Sequence, residues 1–253
     1  MIHLQRGAEP GELLEIRRTE LDRFRAVFAS KGFDRHELGK RYTEVKRYLW
    51  RQQDLKCCYC EKICEDVGSD LEHYRPASRY WWLAWTWENL LFACPNCNRW
   101  AKNDEFPLVD ETARLKPEEA PPQGEQPRLI DPATEDPLDS IQFVLDPASG
   151  RWLPRPRGAS VRGAETIRVL SLDRQALLEI FQRYVEDYVM PDVIHLRKLM
   201  DAGDEQSVRA DWGRRLPRAL QRTRHHVALT YDVFDHFFPE DERQRWGLLL
   251  PRP

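Results

Sequence analysis

The chain carries two cysteine pairs, Cys57-Cys58-Tyr59-Cys60 and Cys94-Pro95-Asn96-Cys97, on either side of Asp70-Leu71-Glu72-His73-Tyr74-Arg75-Pro76. Two CxxC pairs supply four thiolates, the ligand set of a closed, tetrahedral structural zinc site. The predicted zinc ligands are Cys57, Cys60, Cys94 and Cys97. The carboxylate and histidine between the pairs, together with Asn98 after the last cysteine, indicate an open site for a hard cation and a general base.

Two other states of the cysteines are two disulfides and unpaired core thiols. The first residues contain no apolar signal-peptide stretch, and no run reaches the length of a membrane span. We therefore expect a cytoplasmic protein, in which thiols stay reduced and CxxC pairs favour metal binding. Cys58 and Cys64 are left over. The spacing favours Cys57 over Cys58 as a ligand, and Cys64 is expected to be a buried free thiol.

The segment from Lys56 to Pro107 resembles the HNH endonucleases, whose core is a ββα-metal fold. The shared motifs are the two CxxC pairs, the dipeptide Glu72-His73, Asn89, Asn98 after the second pair, and Lys102 four residues further on. Residues 71–76, 80–85, 87–91 and 106–108 are similar to a subfamily associated with bacterial antiphage systems. That subfamily includes the PtuB-type nucleases of Septu-like and retron-linked systems, and the similarity extends over roughly residues 55 to 185.

The resemblance implies roles for residues that the spacing alone does not assign. It implies that Asn89 makes backbone hydrogen bonds that shape the loop carrying the base; the alternative is an ordinary turn asparagine. It also implies a separate ATPase that restrains or recruits the nuclease. Two positions depart from the most common HNH pattern, because Glu72 stands where Asp is usual and Asn98 where His is usual.

The chemistry of the predicted active site follows from the residue types. His73 can accept a proton near neutral pH. Glu72 precedes it on a predicted strand, so the two side chains point to opposite faces. Glu72 and Asn98 offer hard oxygen donors, which favour Mg²⁺ or Mn²⁺ over zinc as the catalytic cation. Lys102 shares a helix face with Asn98 and is expected either to contact a phosphate or to be solvated.

Charge and aromatic residues give weaker signals. The net charge is only −3, so composition alone does not indicate nucleic-acid binding. Arginines cluster in residues 151–168 and 209–224, where the alternatives are DNA contacts and solvated helix faces. The four tryptophans Trp81, Trp82, Trp85 and Trp87 are expected to pack around the small motif against flanking helices rather than to stack on bases.

We expect a mainly helical α+β protein built around the ββα-metal core. The predicted segments are a helical segment at 1–54, the HNH core at 55–110, an acidic, proline-rich connection at 111–158 and a helical segment at 159–253. Within them we predict helices over 12–30 and from Asp34 to about Gln52, short strands within 62–74 and 89–93, and a hairpin over 143–154. Pro191 is expected to interrupt one helix and Pro217 to begin the last long one. His225-His226 is expected to have a structural or solvent-facing role rather than to bind metal.

The sequence therefore predicts a metal-dependent HNH endonuclease that cleaves DNA, the nuclease of a bacterial antiphage system. The alternatives are a zinc-stabilised module that only binds nucleic acid, and an adaptor that only docks a partner. The chain has no P-loop, so an ATPase activity belongs to another chain, and the helices after Ala159 are the predicted docking surface for it.

Overall fold

The computed structural model describes residues 1–38 and 43–253 and confirms an α+β architecture with two small antiparallel sheets. In chain order the elements are α1 (Gly11–Lys31), α2 (Thr43–Gln52), β1 (Asp70–His73), β2 (Leu90–Ala93), β3 (Ile141–Asp146), β4 (Arg151–Pro156), α3 (Val161–Val169), α4 (Gln175–Tyr184), α5 (Met190–Asp201), α6 (Glu205–Ala219), α7 (Val227–Phe237) and α8 (Glu240–Trp246). Asn96–Lys102 and Val185–Val189 are π-helical. None of these helices is both long enough and apolar enough to cross a membrane.

The N-terminal helix agrees with its prediction, and the second helix agrees in part. Helix α1 ends at Gly32, whose φ of 77° is easily adopted only by glycine and whose N–H donates to the carbonyl of Phe28. After Asp34 a short 3₁₀ turn covers Arg35–Leu38, and α2 runs to Gln52 as predicted. The predicted helical stretch between them falls on residues 39–42, outside the described residues.

The two predicted short strands and the predicted hairpin all occur, and the two short strands pair to form a first hairpin. In the first, β1 pairs antiparallel with β2, so that Glu72 lies opposite Leu91 and His73 opposite Leu90. In the second, β3 pairs antiparallel with β4, and Gly150 takes a φ of 66° in the connecting turn. Residues 115–136, within the acidic, proline-rich connection, contain turns without a helix or strand.

The buried residues form two clusters that meet around the first hairpin. One cluster packs α1 and α2 against Trp85, Trp87 and β2, and the rings of Phe24 and Trp85 lie 4.2 Å apart. The other joins the cysteine pairs to the second hairpin and the C-terminal helices. Trp82 is also buried and Trp81 half-buried, so the predicted packing role of the tryptophans is confirmed.

Two predictions about prolines are wrong. Pro191 does not interrupt its helix. Proline lacks a backbone N–H, and the π-helical segment Val185–Val189 accommodates this and joins α4 to α5 without a break. Pro217 does not begin the last long helix, because it lies within the last turn of α6, and α7 starts only at Val227.

A buried carboxylate connects the second hairpin to the C-terminal helices and predicts a pH dependence. Asp232 on α7 accepts a hydrogen bond of 2.7 Å from the N–H of Phe143 and one of 2.9 Å from Arg157. Burial raises its pKa to about 6, although these two donors oppose the shift. A folded-state pKa above the unfolded value means that folding takes up a proton between pH ~4 and ~6.

We therefore expect Asp232 to stabilise the fold most at about pH 4 and to lose that contribution, of order 3 kcal/mol, as the pH rises through about 6. Urea unfolding at several pH values, compared between the wild type and Asp232→Asn, measures the difference in slope. Asp201→Asn, a change of an exposed carboxylate, is the control. Parallel curves for the wild type and Asp232→Asn would contradict the expectation.

Candidate metal centre and active site

Four buried cysteines come together as the spacing predicts. The sulfur atoms of Cys57, Cys60, Cys94 and Cys97 all lie within 4.8 Å of one another. The Cys60 and Cys94 sulfurs are 3.9 Å apart, close to the about 3.8 Å edge of a tetrahedron with Zn–S bonds of ~2.3 Å. The cluster can therefore hold a metal such as zinc.

The turns that bear these cysteines are held by the backbone. In the first pair, the N–H of Cys57 donates to the carbonyl of Lys62, and the N–H of Glu61 donates to the carbonyl of Cys57. In the second pair, the N–H groups of Cys97 and Asn98 both donate to the carbonyl of Cys94. These bonds fix each CxxC as a tight turn with both sulfurs on the same side.

The remaining two cysteines lie outside the four-sulfur cluster. Cys58 is buried, and burial raises the pKa of its thiol well above the usual value, which keeps it neutral. Cys64 is free as expected but half-buried rather than buried, and its thiol donates to the carbonyl of Lys62 over 3.2 Å. The sequence-based choice of Cys57 over Cys58 as a ligand agrees with this arrangement.

The C-terminal segment supports the cysteine cluster through contacts that the sequence did not reveal. The guanidinium of Arg174 donates to the Cys97 sulfur over 3.4 Å, and a positive donor there favours a thiolate. The buried ring of His226 donates from Nδ1 to the carbonyl of Cys60 over 2.8 Å. Glu61 accepts hydrogen bonds from the N–H groups of Val227 and Ala228 at the start of α7. The expected structural role of His226 is therefore confirmed.

His73 occupies the last position of β1, beside the loop that follows. Its Nε2 lies 3.0 Å from the carbonyl oxygen of Ala84. A carbonyl can only accept, so Nε2 carries the proton and donates, and in the neutral ring the lone pair is at Nδ1. This tautomer presents Nδ1 as the atom that can take up a proton.

Asn89 ties the end of this strand to the loop that positions His73. Its side-chain oxygen accepts a hydrogen bond of 2.7 Å from the N–H of Arg75. Its amide nitrogen donates to the carbonyls of Arg75 and Leu83, at 3.0 and 3.2 Å. Leu83 adjoins Ala84, so the buried amide fixes the backbone that orients the imidazole.

Glu72 points to the opposite face from His73, as strand alternation requires. Its carboxylate is only 2% exposed; it lies 2.8 Å from the Lys102 ammonium and accepts a hydrogen bond of 3.0 Å from the Tyr59 hydroxyl. Lys102 also donates to the carbonyl of His73 over 2.9 Å. Burial raises the pKa of Glu72, and the charge of Lys102 opposes that shift.

The position of Lys102 corrects one sequence-based expectation. Its side chain is fully buried, so the solvated alternative is wrong, and the ammonium faces Glu72 rather than a phosphate. The physical reason is that the helical segment Asn96–Lys102 lies against β1. Lys102 therefore reaches the carboxylate of Glu72, which points inward from that strand. Asn98 is half-buried at the start of that segment. Within residues 1–38 and 43–253 its side chain makes no hydrogen bond and is open to a ligand.

Sequence reasoning missed the exposed surface of the helical segment. Trp100 is 81% exposed, whereas the tryptophans that the sequence emphasised are largely buried. Arg99 beside it is paired with Asp70 at the start of β1 through two of its nitrogens, which attaches the segment to the hairpin. An exposed tryptophan ring on this segment is a surface suited to stacking on a ligand.

Comparison with known proteins shows which proteins this chain is similar to. No protein-family model matches the chain. It is 30% identical over 224 residues to the Septu protein PtuB of Bacillus mycoides (strain KBAB4), covering 76% of this chain and 70% of that protein. It is 26% identical over 149 residues to the Septu protein PtuA of the same strain, covering 54% of this chain but only 20% of PtuA. The chain belongs to the Septu PtuB family.

Proposed function

We propose that this chain is a metal-dependent HNH endonuclease that hydrolyses phosphodiester bonds in DNA, as the nuclease of a Septu-type antiphage system. The observation that carries the proposal is the imidazole of His73 at the end of β1, held at Nε2 by the carbonyl oxygen of Ala84. It stands on a two-stranded hairpin followed by a helical segment and a four-cysteine cluster. Membership of the PtuB family supports the Septu assignment.

In the proposed reaction His73 is the general base. Nδ1 takes a proton from a water molecule, whose oxygen attacks the phosphorus while the bond to the leaving oxygen breaks. The leaving oxygen then receives a proton from solvent. Ala84 and Asn89 do not touch the substrate; they hold the ring so that Nδ1 stays aimed at the water.

Glu72 and Asn98 are the residues we assign to a catalytic Mg²⁺ or Mn²⁺. A bound cation of this kind would neutralise charge on the phosphate and the leaving oxygen. The donor chemistry fits, because a carboxylate and an amide oxygen are hard ligands. The Asn98 side chain makes no hydrogen bond among the described residues, whereas the Glu72 carboxylate is engaged by Lys102 and becomes a ligand only by exchanging that ammonium for the cation.

The test of this proposal is the cleavage of a DNA substrate by His73→Ala in the presence of added Mg²⁺ or Mn²⁺. We expect a loss of about 10²-fold or more, the usual scale for removal of a general base, with the zinc content unchanged. His3→Ala, which changes an exposed histidine, is the matched control. Cleavage by His73→Ala near the wild-type rate would refute the assignment, as would cleavage that needs no added divalent cation.

A second candidate function is nucleic-acid binding without catalysis, favoured by the exposure of Trp100. On that interpretation Trp100→Ala weakens binding to DNA, and His73→Ala changes nothing measurable. In an active nuclease Trp100→Ala weakens binding too, but His73→Ala removes cleavage and leaves binding intact. Parallel binding and cleavage assays on the two variants therefore separate the two functions.

We further propose that the chain associates with a separate ATPase through its C-terminal helices. The similarity to both PtuB and PtuA supports a Septu complex with more than one kind of subunit. Several apolar side chains after residue 159 are exposed, among them Val161, Ile194 and Leu249. The expected result is co-purification with an ATPase from the native host, identified by mass spectrometry. Recovery of the chain alone, fully active and insensitive to ATP, would contradict this.

A further inference from the structure

A cavity of about 420 Å³ lies between the junction of α4 and α5, helix α6 and the start of α7. Its lining includes Tyr184, Tyr188, Arg214, Arg215, Arg218 and Arg224. The volume is in the range of small-molecule sites, about 300–1,000 Å³. None of these residues belongs to the cysteine cluster or to the proposed active site.

The charges around this cavity, which we call the arginine cavity, are only partly neutralised. Arg215 pairs with Asp192, and Arg214 pairs with Asp211 over 2.5 Å. Arg218 and Arg224 are exposed and have no ion-pair partner among the residues that the structure describes. The cavity therefore presents two guanidinium groups whose planar donors suit the oxygens of a phosphate.

The opposite wall offers an aromatic surface. The rings of Tyr184 and Tyr188 are stacked, with centroids 5.5 Å apart. Tyr188 is 64% exposed, so the outer face of its ring is open, whereas Tyr184 is half-buried and its hydroxyl accepts a hydrogen bond from Thr230. A rigid ring with one open face beside free guanidinium groups is an arrangement that holds a planar group and an anion together.

We propose that the arginine cavity binds a nucleotide, with its phosphates on Arg218 and Arg224 and its base on the open face of Tyr188. Two sources share this chemistry: a free nucleoside triphosphate and one nucleotide of a nucleic-acid strand. The phosphates would neutralise the guanidinium groups of Arg218 and Arg224, and the base would cover the exposed ring of Tyr188. This inference is independent of the proposed cleavage reaction, because it concerns binding alone.

The test measures binding by the purified chain of residues 1–253, prepared without chelator and with no divalent cation added. The probes are ATP, inorganic tripolyphosphate and a fluorescent ten-nucleotide oligothymidylate. Arg218→Ala and Arg224→Ala should each weaken nucleotide binding by about tenfold or more, the scale of a lost charge-assisted hydrogen bond. Tyr188→Ala should weaken it by about fivefold or more, and Tyr188→Phe should not. Arg245→Ala, on the exposed face of α8, is the matched control.

Tight binding of ATP identifies a free nucleotide as the ligand, and binding of the oligonucleotide alone identifies a strand; either result supports the proposal if the variants weaken it. Failure of both probes to bind would overturn it. The proposal would also be overturned if Arg218→Ala, Arg224→Ala and Tyr188→Ala bound the probes as tightly as the control Arg245→Ala does. Tripolyphosphate binding as tightly as ATP, with no effect of Tyr188→Ala, would also overturn it, because the base would then have no role. The substituted side chains are exposed, so thermal unfolding of each variant should match the wild type.

Discussion

Cys94→Ser is expected to abolish the stable folded state. If the four cysteines hold one zinc ion, its binding contributes folding free energy on the order of 10 kcal/mol, comparable to the whole stability of a domain. The cluster is buried and joins the first hairpin to the C-terminal helices, so its loss would affect both. The measurements are soluble yield, circular dichroism and zinc content by elemental analysis, with one zinc per chain expected for the wild type.

Cys64→Ser is the matched control for this prediction, since Cys64 lies next to the cluster but outside it. It should keep its zinc and most of its stability. A purified wild-type protein without zinc, or a Cys57–Cys60 disulfide that persists under reducing conditions, would contradict the zinc assignment.

Lys102→Met should lower the free energy of unfolding by about 3–5 kcal/mol, the usual cost of removing one partner from a buried ion pair. Lys102 and Glu72 are exposed by 0% and 2%, and their charged atoms lie 2.8 Å apart. Methionine keeps the length and apolar character of the lysine stem, so the variant leaves chiefly an uncompensated carboxylate. Urea unfolding at neutral pH measures the change.

The double variant Glu72→Gln with Lys102→Met gives the control for this effect. Removing both charges should restore a large part of the lost stability, because neither buried group is then charged and alone. A double variant as unstable as Lys102→Met would show that packing of the lysine stem, rather than its charge, is what matters.

The features that the sequence predicted correctly depend on short-range patterns. The CxxC spacing brings each pair of sulfurs together within one turn, and Gly32 and Gly150 end a helix and form a hairpin turn through their own backbone freedom. The strand alternation of Glu72 and His73 likewise follows from neighbouring positions. The nuclease chemistry that these residues suggest remains a prediction.

The features that the sequence did not predict depend on contacts between distant segments. Arg174 reaches the sulfur of Cys97 from 77 positions away, and His226 reaches Cys60 from 166 positions away. Helical spacing predicts which residues share a face with Lys102, but it does not predict which other segment packs against that face. The contact of Lys102 with Glu72 could therefore not be predicted. Proline is favourable at the start of a helix, but its presence in the sequence does not show which helix it belongs to, and Pro217 lies in the last turn of α6.

Glu61 and His226 both join the first cysteine turn to the start of α7. These contacts limit where the chain could be cut into independent fragments. Glu61 lies in the first cysteine turn, yet it supplies the N-terminal hydrogen-bond acceptor of α7. A fragment that ends before α7 would remove the two N–H donors of this carboxylate in α7 and leave it with Lys56 and the N-terminus, and a C-terminal fragment would begin with an uncapped helix. The motif that resembles a small portable module is thus inseparable from its C-terminal half, and recombination between relatives is expected to exchange the two together.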